Sequence, residues 1–257
     1  MSTDTDTHTA DNATPVVLIT GAARRIGART ADVFHHHGYR VLIHYHRSQT
    51  DAQALALKLN TLRANSAFLL QADLNDPGEL KVLADAVLSQ HSRLDVLVNN
   101  ASSFYATPLE RVTGEDWLDL MGSNAHAPLM LCKALAPRLR ASQGSIVNLT
   151  DMNINRGMAN FSVYTMAKAA LQAMTRSLAR ELAPEIRVNA VSPGAILWPE
   201  HASDAVAHAP QQAAILAGIP MARLGTPDDI AQTVFFLAHH AHYVTGQTWR
   251  VDGGRGL

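Results

Sequence analysis

Cysteine is nearly absent from this sequence of 257 residues, since Cys132 is the only one. A single thiol cannot form an internal disulfide, and it cannot supply the paired cysteines of a zinc or iron–sulfur site. Cys132 lies in the apolar segment Pro-Leu-Met-Leu-Cys-Lys-Ala-Leu, where a free cysteine is typically a buried structural side chain rather than a nucleophile. An internal disulfide and a cysteine-based metal cluster are therefore excluded, and a nucleophilic role of Cys132 is disfavoured.

Excess charge and long apolar runs are also missing. The chain has 21 Lys and Arg against 22 Asp and Glu, a formal net charge of −1, which gives no basic footprint for nucleic acid or for an anionic membrane. No apolar run approaches the roughly 20 residues that a membrane-spanning helix needs, and residues 1–14 are polar and acidic, without the apolar core of a secretion signal. We predict a cytoplasmic protein with a disordered tail over residues 1–14, whose partner is a small molecule.

Histidine, in contrast, is frequent, with 13 residues. Two groups stand out, His35-His36-His37 and His239-His240, and each ends an apolar segment with a helical pattern. A cationic imidazole at such a position complements the helix dipole, and neither group has Asp or Glu at a clear ligand spacing. We predict no metal site, and the sequence leaves the role of these histidines open.

Short β-branched segments alternate with segments of helical period along the chain. Such alternation, with short connections, indicates a parallel doubly wound sheet flanked by helices. We predict one α/β domain of Rossmann type over residues 15–257, with about seven strands. The segment 193–220 contains four prolines and no clear period, so a substrate lid is expected at about 194–220. The predicted strands are 15–20, 41–43, 67–70, 96–98, 145–149, 186–191 and 247–251, and the predicted helices are 24–37, 51–64, 78–90, 115–140 with a kink or break at Pro128, 163–182, and 228–239 capped by Thr226.

The first predicted strand ends in a glycine-rich turn, Thr20-Gly-Ala-Ala-Arg-Arg-Ile-Gly27. Glycine lets the backbone turn tightly and approach a diphosphate, which the N-terminus of the following helix attracts. Gly21, Arg25, Ile26 and Gly27 are therefore candidate cofactor residues, although an ordinary strand-to-helix turn would also explain the glycines.

The second predicted strand ends in His44-Tyr-His-Arg-Ser48, where an NAD-specific site would place Asp or Glu for the ribose hydroxyls. No carboxylate is present, and Arg47, with Ser48 and His46, offers donors that suit a 2′-phosphate. We therefore predict NADP(H) as the cofactor, with a solvated Arg47 as the alternative. Asp73, after the third strand, could accept from the adenine amino group or serve as a turn residue.

Tyr164 and Lys168 are four positions apart in a predicted helix, so they share a face. An ammonium about 4 to 6 Å from a phenol favours the phenolate, by roughly two pKa units at intermediate dielectric. We expect the pKa of Tyr164 to be lowered toward neutrality, where a general acid is most effective. Taken alone, this spacing often occurs by chance and favours an exposed pair.

In combination these motifs resemble the short-chain dehydrogenase/reductase family over residues 16–254. The matching features are the glycine-rich turn, Asn99-Asn100-Ala101, Asn124, Tyr164-x-x-x-Lys168 and Pro193-Gly194. The resemblance implies that Tyr164 donates a proton, that Lys168 orients the nicotinamide ribose and lowers the Tyr164 pKa, and that Asn124 supports a water relay to Lys168. Besides the residues of the first and second turns, it implies cofactor contacts from Asp73, Leu74, Asn100, Ala101, Ser102, Tyr164, Lys168, Pro193, Gly194 and Ile196.

Three positions depart from the usual pattern of that family. Arg25 replaces the middle glycine of the first turn, Ser102 replaces the glycine after Asn-Asn-Ala, and Asp151 stands thirteen residues before Tyr164, where serine is expected. A serine hydroxyl donates to a ketone oxygen as that oxygen becomes negative, whereas an aspartate would repel it. Reduction of a C=N bond instead needs a proton at nitrogen, which a carboxylic acid in a partly desolvated pocket can supply directly or through water. A nitrogen heterocycle is the substrate that these residues indicate.

The same departures resemble the pteridine reductases, with further matching segments at 44–48, 71–74 and 95–105. This resemblance implies NADPH-dependent reduction of dihydropterins or dihydrofolate to the tetrahydro forms, and reduction of oxidised pterins. The ring would stack between Phe104 and the nicotinamide, in contact with Arg25, Ser102, Asp151 and Tyr164. The resemblance also implies a homotetramer, in which Arg255 is the sole basic residue that could approach a neighbouring subunit's pocket.

Several alternatives remain open from the sequence. Phe104 could be a core side chain, and the protein could be a carbonyl or sugar-alcohol reductase that tolerates Asp151, or an NADPH-binding sensor without catalysis. Intact Tyr164, Lys168 and Asn124 disfavour the sensor. The lid residues do not reveal which pterin or folate is preferred.

Overall fold

The computed structural model describes residues 14–196 and 205–257. Most of the predicted tail, residues 1–13, and the part of the predicted lid at 197–204 lie outside the described residues. The strands are β1 (Val16–Ile19), β2 (Arg40–Tyr45), β3 (Ala67–Gln71), β4 (Val96–Asn99), β5 (Ser145–Leu149), β6 (Arg187–Pro193) and β7 (Thr248–Val251). The helices are α1 (Arg25–His36), α2 (Gln49–Leu62), α3 (Pro77–Gln90), α4 (Gly114–Met121), α5 (Ala127–Ala141), α6 (Ser162–Glu181), α7 (Ala205–Ala217) and α8 (Pro227–Phe235).

The seven strands form one parallel sheet with the order β3-β2-β1-β4-β5-β6-β7. The chain runs outward from β1 to β3, returns to the centre at β4 and runs outward again to β7. This order confirms the predicted doubly wound Rossmann-type sheet. In such sheets ligands bind outside the carboxyl ends of the strands where the order reverses, which here is the crevice above β1 and β4.

Helices cover both faces of the sheet, and β1 shows how. Val17 and Ile19 pack in one core cluster with α1, α2 and α8, while Val16 and Leu18 pack in a second cluster with α3, α5 and α6. A strand buried on both faces has no polar side, which explains the continuous apolar run of the sequence. The two cores fix the carboxyl ends of the central strands in place.

The long predicted helix at 115–140 does not break at Pro128. It consists of α4, a wider π-helical turn at Gly122–His126, and α5, without an intervening loop. Proline lacks the N–H that would continue the helical ladder, and the π turn has already shifted that ladder just before Pro128. The helix therefore continues, and Asn124 lies within the π turn.

Two other helical segments differ from expectation. The segment expected to be aperiodic contains α7, whose alanine-rich sequence favours a helix without an amphipathic stripe. The last helix has the predicted N-cap, since the Thr226 hydroxyl accepts from Asp229 N–H and the Asp229 carboxylate accepts from Thr226 N–H. It ends in a second π turn at Phe236–His240. Within the described ranges, none of the helices has the length and apolar character needed to cross a membrane.

Candidate active site

The two loops that follow β1 and β4 meet directly at the switch point of the sheet. Gly21 has a φ of +60°, and a Cβ on it would lie 3.0 Å from Ala101 Cα. Only glycine adopts this conformation readily and leaves room for the second loop. The sequence motifs around Gly21 and Ala101, which are 80 positions apart along the chain, therefore form one surface.

Hydrogen bonds from Thr20 and Asn100 hold these loops together. The Thr20 hydroxyl accepts from the N–H groups of Asn100 and Ala101, at 2.9 and 3.0 Å, and it donates to Val98 O at 3.4 Å. The Asn100 amide donates to Thr20 O at 2.9 Å and to Gly21 O at 3.0 Å. Each bond joins a side chain to backbone, so the base of the crevice is built before any ligand binds.

The glycine-rich turn packs closely at the N-terminus of α1. A Cβ on Gly27 would lie 2.2 Å from Gly21 O and 2.8 Å from Asn100 Nδ2, so no larger residue fits there. The first turn of α1 has no acidic side chain, and its free N–H groups favour an anion such as a diphosphate. Arg25 has a φ of +53°, a left-handed conformation that glycine adopts most readily, and its side chain is exposed in the crevice.

His44 is a functional residue that the sequence analysis missed. The imidazole is buried, its Nδ1 accepts from Gly21 N–H at 3.0 Å, and its Nε2 lies 3.1 Å from Ala72 O. These partners require the neutral tautomer with the proton on Nε2, and burial lowers the pKa of His44 to about 4. His44 thereby positions the glycine-rich turn. Its place in a buried strand, directly before the predicted phosphate residues, was the available signal.

The end of β2 presents donors at the start of a second helix. His46 and Arg47 are exposed, and Ser48 occupies the N-cap position of α2, with its hydroxyl making no capping bond. Arg47, Ser48 and the free N–H groups of α2 together suit a phosphate. These residues and the glycine cradle fit a phosphorylated dinucleotide.

Asp73 lies beside this group. Its carboxylate accepts from Asn75 N–H at 2.9 Å and lies 3.6 Å from His46 Nε2. The turn role is thus present in the structure, and a contact to adenine stays a prediction.

The crevice is a continuous cleft of about 830 Å³. It extends from the end of β2, across the two central loops, to the tyrosine of α6. This volume is in the range of small-molecule and cofactor sites. The predicted site residues that line it are Gly21, Arg25, Ile26, Gly27, His46, Arg47, Ser48, Asp73, Leu74, Asn100, Ala101, Ser102, Phe104 and Tyr164.

Tyr164 lies at the inner end of the cleft and is joined to Asp151, which, like Lys168, is not among the residues that line the cleft. The Tyr164 hydroxyl donates to Asp151 Oδ2 at 2.9 Å, and Asp151 Oδ1 accepts from Asn153 N–H at 2.7 Å. The second bond caps the short 3-10 helix at Met152–Ile154 and fixes the orientation of the carboxylate. A proton can therefore move between the phenol and the carboxylate without either residue changing place.

The electrostatics of Tyr164 are opposite to the sequence prediction. Burial, followed by the Asp151 carboxylate, raises the pKa of Tyr164 well above its ordinary value. Lys168 Nζ donates to Leu149 O at 2.8 Å and lies 5.8 Å from the Tyr164 ring centroid. Burial lowers the pKa of Lys168 to about 8, although Asp151 opposes this shift. The prediction of a Tyr164 pKa near neutrality is wrong for this state because Asp151 accepts the phenolic hydrogen.

Asn124 is fully buried in the π turn, away from the wall of the cleft. Its Oδ1 accepts from the Ser102 hydroxyl at 2.7 Å, and its Nδ2 donates to Leu120 O at 2.9 Å and to Ser103 O at 3.0 Å. The π turn thus directs an amide at the loop after β4. The water relay to Lys168 stays a prediction.

Phe104 is not a core residue, since 52% of its surface is exposed. Its ring stacks on Phe161 with centroids 4.8 Å apart and meets the Tyr164 ring edge-on, also at 4.8 Å. Phe161 therefore supports Phe104 from behind and helps to fix it beside the tyrosine. Phe161 was not predicted, although its position three residues before Tyr164 was a usable signal.

Pro193, Gly194 and Ile196 do not line the cleft. Gly194 N–H donates to Val251 O at 3.0 Å, and a Cβ on Gly194 would lie 2.6 Å from Asp252 Cα. Ile196 is buried. These residues pack beside β7 and the C-terminal segment, and their cofactor contacts stay predictions. Arg255 is bound through its own carbonyl, which accepts from Arg156 Nη1 at 3.1 Å.

The histidine groups form an aromatic cluster rather than a ligand set. His37 and His239 stack on Phe235, with centroids 4.1 and 5.0 Å apart, and Tyr39 Oη lies 2.9 Å from His239 Nδ1. Within residues 14–196 and 205–257, no three His, Cys, Asp or Glu are arranged to hold a metal ion. Cys132 is buried, as its sequence context indicated.

Comparisons with known proteins cover nearly the whole chain. A family model described as Enoyl-(Acyl carrier protein) reductase matches residues 21–255. Pteridine reductase 1 of Leishmania tarentolae is 40% identical over 284 aligned positions, which cover 95% of this chain and 96% of that protein. The 3-oxoacyl-[acyl-carrier-protein] reductase of Synechocystis sp. is 37% identical over 246 positions, covering 93% of this chain and 96% of that protein. A protein of the same description from Staphylococcus aureus is 37% identical over 244 positions, covering 94% and 98%. The pteridine reductase and the 3-oxoacyl reductases thus have similar identities to this chain. Overall identity does not decide between their two substrate classes, and the residues of the cleft must distinguish them.

Proposed function

The chain belongs to the short-chain dehydrogenase/reductase family, and from this premise we propose that it is an NADPH-dependent reductase of C=N bonds in pterins. Its substrates would be dihydropterins or dihydrofolate, which it would convert to the tetrahydro forms. The observation that carries the proposal is the hydrogen bond from the Tyr164 hydroxyl to Asp151 Oδ2.

The chain's own residues account for the choice of cofactor. Gly21 and Gly27 let the two loops pack closely beside the N-terminus of α1, whose free N–H groups would bind a diphosphate, and Arg47 with Ser48 would hold a 2′-phosphate at the N-terminus of α2. Lys168, buried beneath the cleft, would orient the nicotinamide ribose. When bound, NADPH supplies the hydride, and the protein must supply the proton.

The proton requirement selects the substrate class. Reduction of a C=N bond places the hydride on carbon and a proton on nitrogen, and the pair of Asp151 and Tyr164 can deliver that proton to a ring nitrogen. A high Tyr164 pKa keeps the phenol protonated at neutral pH, so Tyr164 holds the proton that the reaction needs, and the Asp151 carboxylate fixes the direction of its hydroxyl. A ketone would instead develop negative charge on oxygen next to the Asp151 carboxylate, which is unfavourable.

Ring binding is supported by Phe104 and Arg25. Phe104 lines the same cleft as the glycine-rich turn, is exposed there and is stacked on Phe161. A flat heterocycle would stack on its free surface, with Arg25 donating to a ring carbonyl and Asp151 accepting from ring amino groups.

Reduction of a 3-oxoacyl thioester is the second candidate, because relatives of that description are 37% identical to this chain. In that reaction the aspartate would have to be tolerated beside the developing alkoxide. The two candidates therefore make opposite demands on residue 151.

Initial rates of NADPH oxidation test the proposal. Dihydrobiopterin, dihydromonapterin, dihydrofolate and folate are compared with acetoacetyl thioesters and simple ketones. We expect turnover of at least one dihydropterin or dihydrofolate and little with ketones. Turnover of ketones alone would reject the proposal.

Substitutions at Asp151 give a sharper test. Asp151→Asn preserves the shape but removes the negative charge that faces the Tyr164 hydroxyl, and we expect a fall in kcat of about 10²- to 10⁴-fold with the pterin substrate. Asp151→Ser restores the residue usual in ketone reductases and should lose pterin turnover as well. Full pterin turnover by Asp151→Ser would show that the inference from the carboxylate is wrong.

We also propose that the enzyme is a homotetramer in the cytoplasm. Large apolar side chains are exposed on the packed helices α4 and α6, including Leu118 at 71% and Met166 at 46%. Phe236 and Trp249 form a second exposed apolar pair, with centroids 5.5 Å apart. Light scattering of the purified protein should give four times the chain mass, and Leu118→Glu should lower it. A monomeric wild type would contradict this assembly.

A further inference from the structure

Asp119 connects two loops that belong to different parts of the cleft. It lies near the end of α4 and lines the cleft. Its Oδ1 accepts from Asn75 Nδ2 at 2.6 Å and from the Ser103 hydroxyl at 3.3 Å. One carboxylate oxygen thereby holds a side chain from the loop after β3 and another from the loop after β4.

The loop after β3 belongs to the adenosine side of the proposed cofactor site. Asn75 is next to Leu74, and its N–H donates to the Asp73 carboxylate at 2.9 Å. Gly122 allows the Asn75 side chain to reach Asp119, because a Cβ on Gly122 would lie 2.3 Å from Asn75 Oδ1. The glycine at the start of the π turn is thus explained by this contact.

The loop after β4 carries the ring-stacking residue Phe104, and Asp119 binds one neighbour of Phe104 and faces the other. Ser103 is bound through its hydroxyl, and its N–H donates to Ser123 Oγ at 3.3 Å, which in turn donates to Asp119 O at 2.9 Å. Burial, followed by the facing carboxylates of Asp119 and Asp116, raises the pKa of the Tyr105 hydroxyl to about 12. Asp119 therefore fixes the backbone on the Ser103 side of Phe104.

We propose that Asp119 is a positioning residue that couples the adenosine side of the cleft to the Phe104 loop. A ligand that fixes residues 73–75 also fixes Asn75, which keeps the Asp119 carboxylate in place for Ser103 and Tyr105. Ordering a loop costs conformational entropy, so a first ligand that has already ordered it makes the second bind more tightly. The inference rests on the proposed function, because it assumes that the cleft holds NADPH and a flat ring substrate.

Adenosine 2′,5′-bisphosphate separates this coupling from direct stacking. The compound carries the adenosine and 2′-phosphate of NADPH but has no nicotinamide, so it cannot contact Phe104 through a stacked ring. Hydrogen exchange of the amides in residues 102–107 is measured with and without it. In the wild type we expect about five- to tenfold slower exchange with the compound bound, a coupling in the usual range for linked sites.

Two variants and one control complete the test. Asp119→Ala and Asn75→Ala each remove one side of the connection, and both should bind the compound but show less than about twofold protection of residues 102–107. Glu115→Ala removes an exposed carboxylate from the same helix and should behave as the wild type. Calorimetric binding and thermal melting establish that each variant is folded. If Asp119→Ala does not fold, Asn75→Ala still tests the connection, because it leaves the sequence of α4 unchanged.

The outcomes distinguish the inference from the function on which it rests. If the wild type binds the compound and the loop is protected equally in all proteins, the coupling is refuted while the cofactor proposal stands. If the wild type binds the compound without any protection, the coupling is likewise refuted. If the wild type does not bind it, the NADPH proposal is refuted and the coupling with it.

Discussion

Replacing His44 by Asn tests how the buried imidazole supports the cofactor turn. The side chain is 2% exposed, its Nδ1 accepts from Gly21 N–H, and its Nε2 donates to Ala72 O. If the His44 imidazole took up a second proton, on Nδ1, that proton would face the Gly21 N–H and would have no acceptor. The Asn amide oxygen can still accept from Gly21 but cannot reach Ala72, so we expect the variant to be about 1–3 kcal/mol less stable at pH 7.

The pH dependence follows from the direction of the shift. Burial lowers the pKa of His44 from 6.5 to about 4, so below pH 6.5 the unfolded chain takes up a proton that the folded protein excludes. The stability contributed by neutral His44 is present above pH 6.5 and is lost as the pH falls toward 4. A difference of 2.5 pKa units corresponds to about 3 kcal/mol in total, of which about 2 kcal/mol is lost between pH 7 and pH 5.

Urea unfolding at pH 7 and pH 5, at one protein concentration, measures this difference. Relative to the wild type, the deficit in unfolding free energy of His44→Asn should shrink by about 2 kcal/mol at pH 5, because the variant has no imidazole to titrate. His242→Asn removes an exposed histidine and should keep the pH dependence of the wild type. An equal loss of stability between pH 7 and pH 5 in wild type and His44→Asn would refute the reasoning.

Three further predictions concern the cleft. Arg47→Ala should raise the KM for NADPH about 10- to 100-fold, as expected for loss of a charged hydrogen bond, and leave the KM for NADH unchanged; equal effects on both cofactors would contradict a 2′-phosphate contact. Gly27→Ala should cost about 1–3 kcal/mol in unfolding free energy, because its Cβ would meet the Gly21 carbonyl at 2.2 Å. Gly114→Ala, with nothing within 4 Å, should be neutral or stabilise by about 0.4–1 kcal/mol, and equal unfolding curves for the two variants would rule out the tight cradle. Tyr164→Phe should lower kcat about 10²- to 10⁴-fold with an unchanged NADPH dissociation constant by fluorescence, and a normal kcat would exclude Tyr164 as proton source.

Much of the fold could be predicted because its strands are buried on both faces. Val16–Ile19 is a continuous apolar run whose residues are all buried, which distinguishes it from the amphipathic helices. The π turn at Gly122–His126 could not be predicted, because its residues have no distinctive composition and the extra residue per turn leaves no mark in the hydrophobic period. Helix α7 was missed for the opposite reason, since alanine forms helices without producing a period.

The site was predictable in its parts but not in its electrostatics. Short motifs identified most residues of the cleft, because loops at the carboxyl ends of parallel strands must converge. The spacing of Tyr164 and Lys168 predicted a lowered Tyr164 pKa, whereas the structure gives a raised one. The sequence argument considered only Lys168 on the same helix. It did not include the burial of the phenol or Asp151, which is distant in the sequence and accepts the phenolic hydrogen. His44 was missed because its partner, Gly21, lies in the turn after β1, which is distant from His44 in the sequence.

The hydrogen bonds of Thr20 bear on how new substrate preferences can arise in this fold. Its hydroxyl and the Asn100 amide connect the two central loops without any contribution from the residues that would touch a substrate ring. The base of the cleft can therefore remain constant while residues 102–113 are exchanged, lengthened or diversified. An evolving or engineered lineage could thus acquire a different substrate by replacing one wall, and a chimera that receives another loop after residue 101 should keep the hydrogen bonds of Thr20 and Asn100 that join the two central loops.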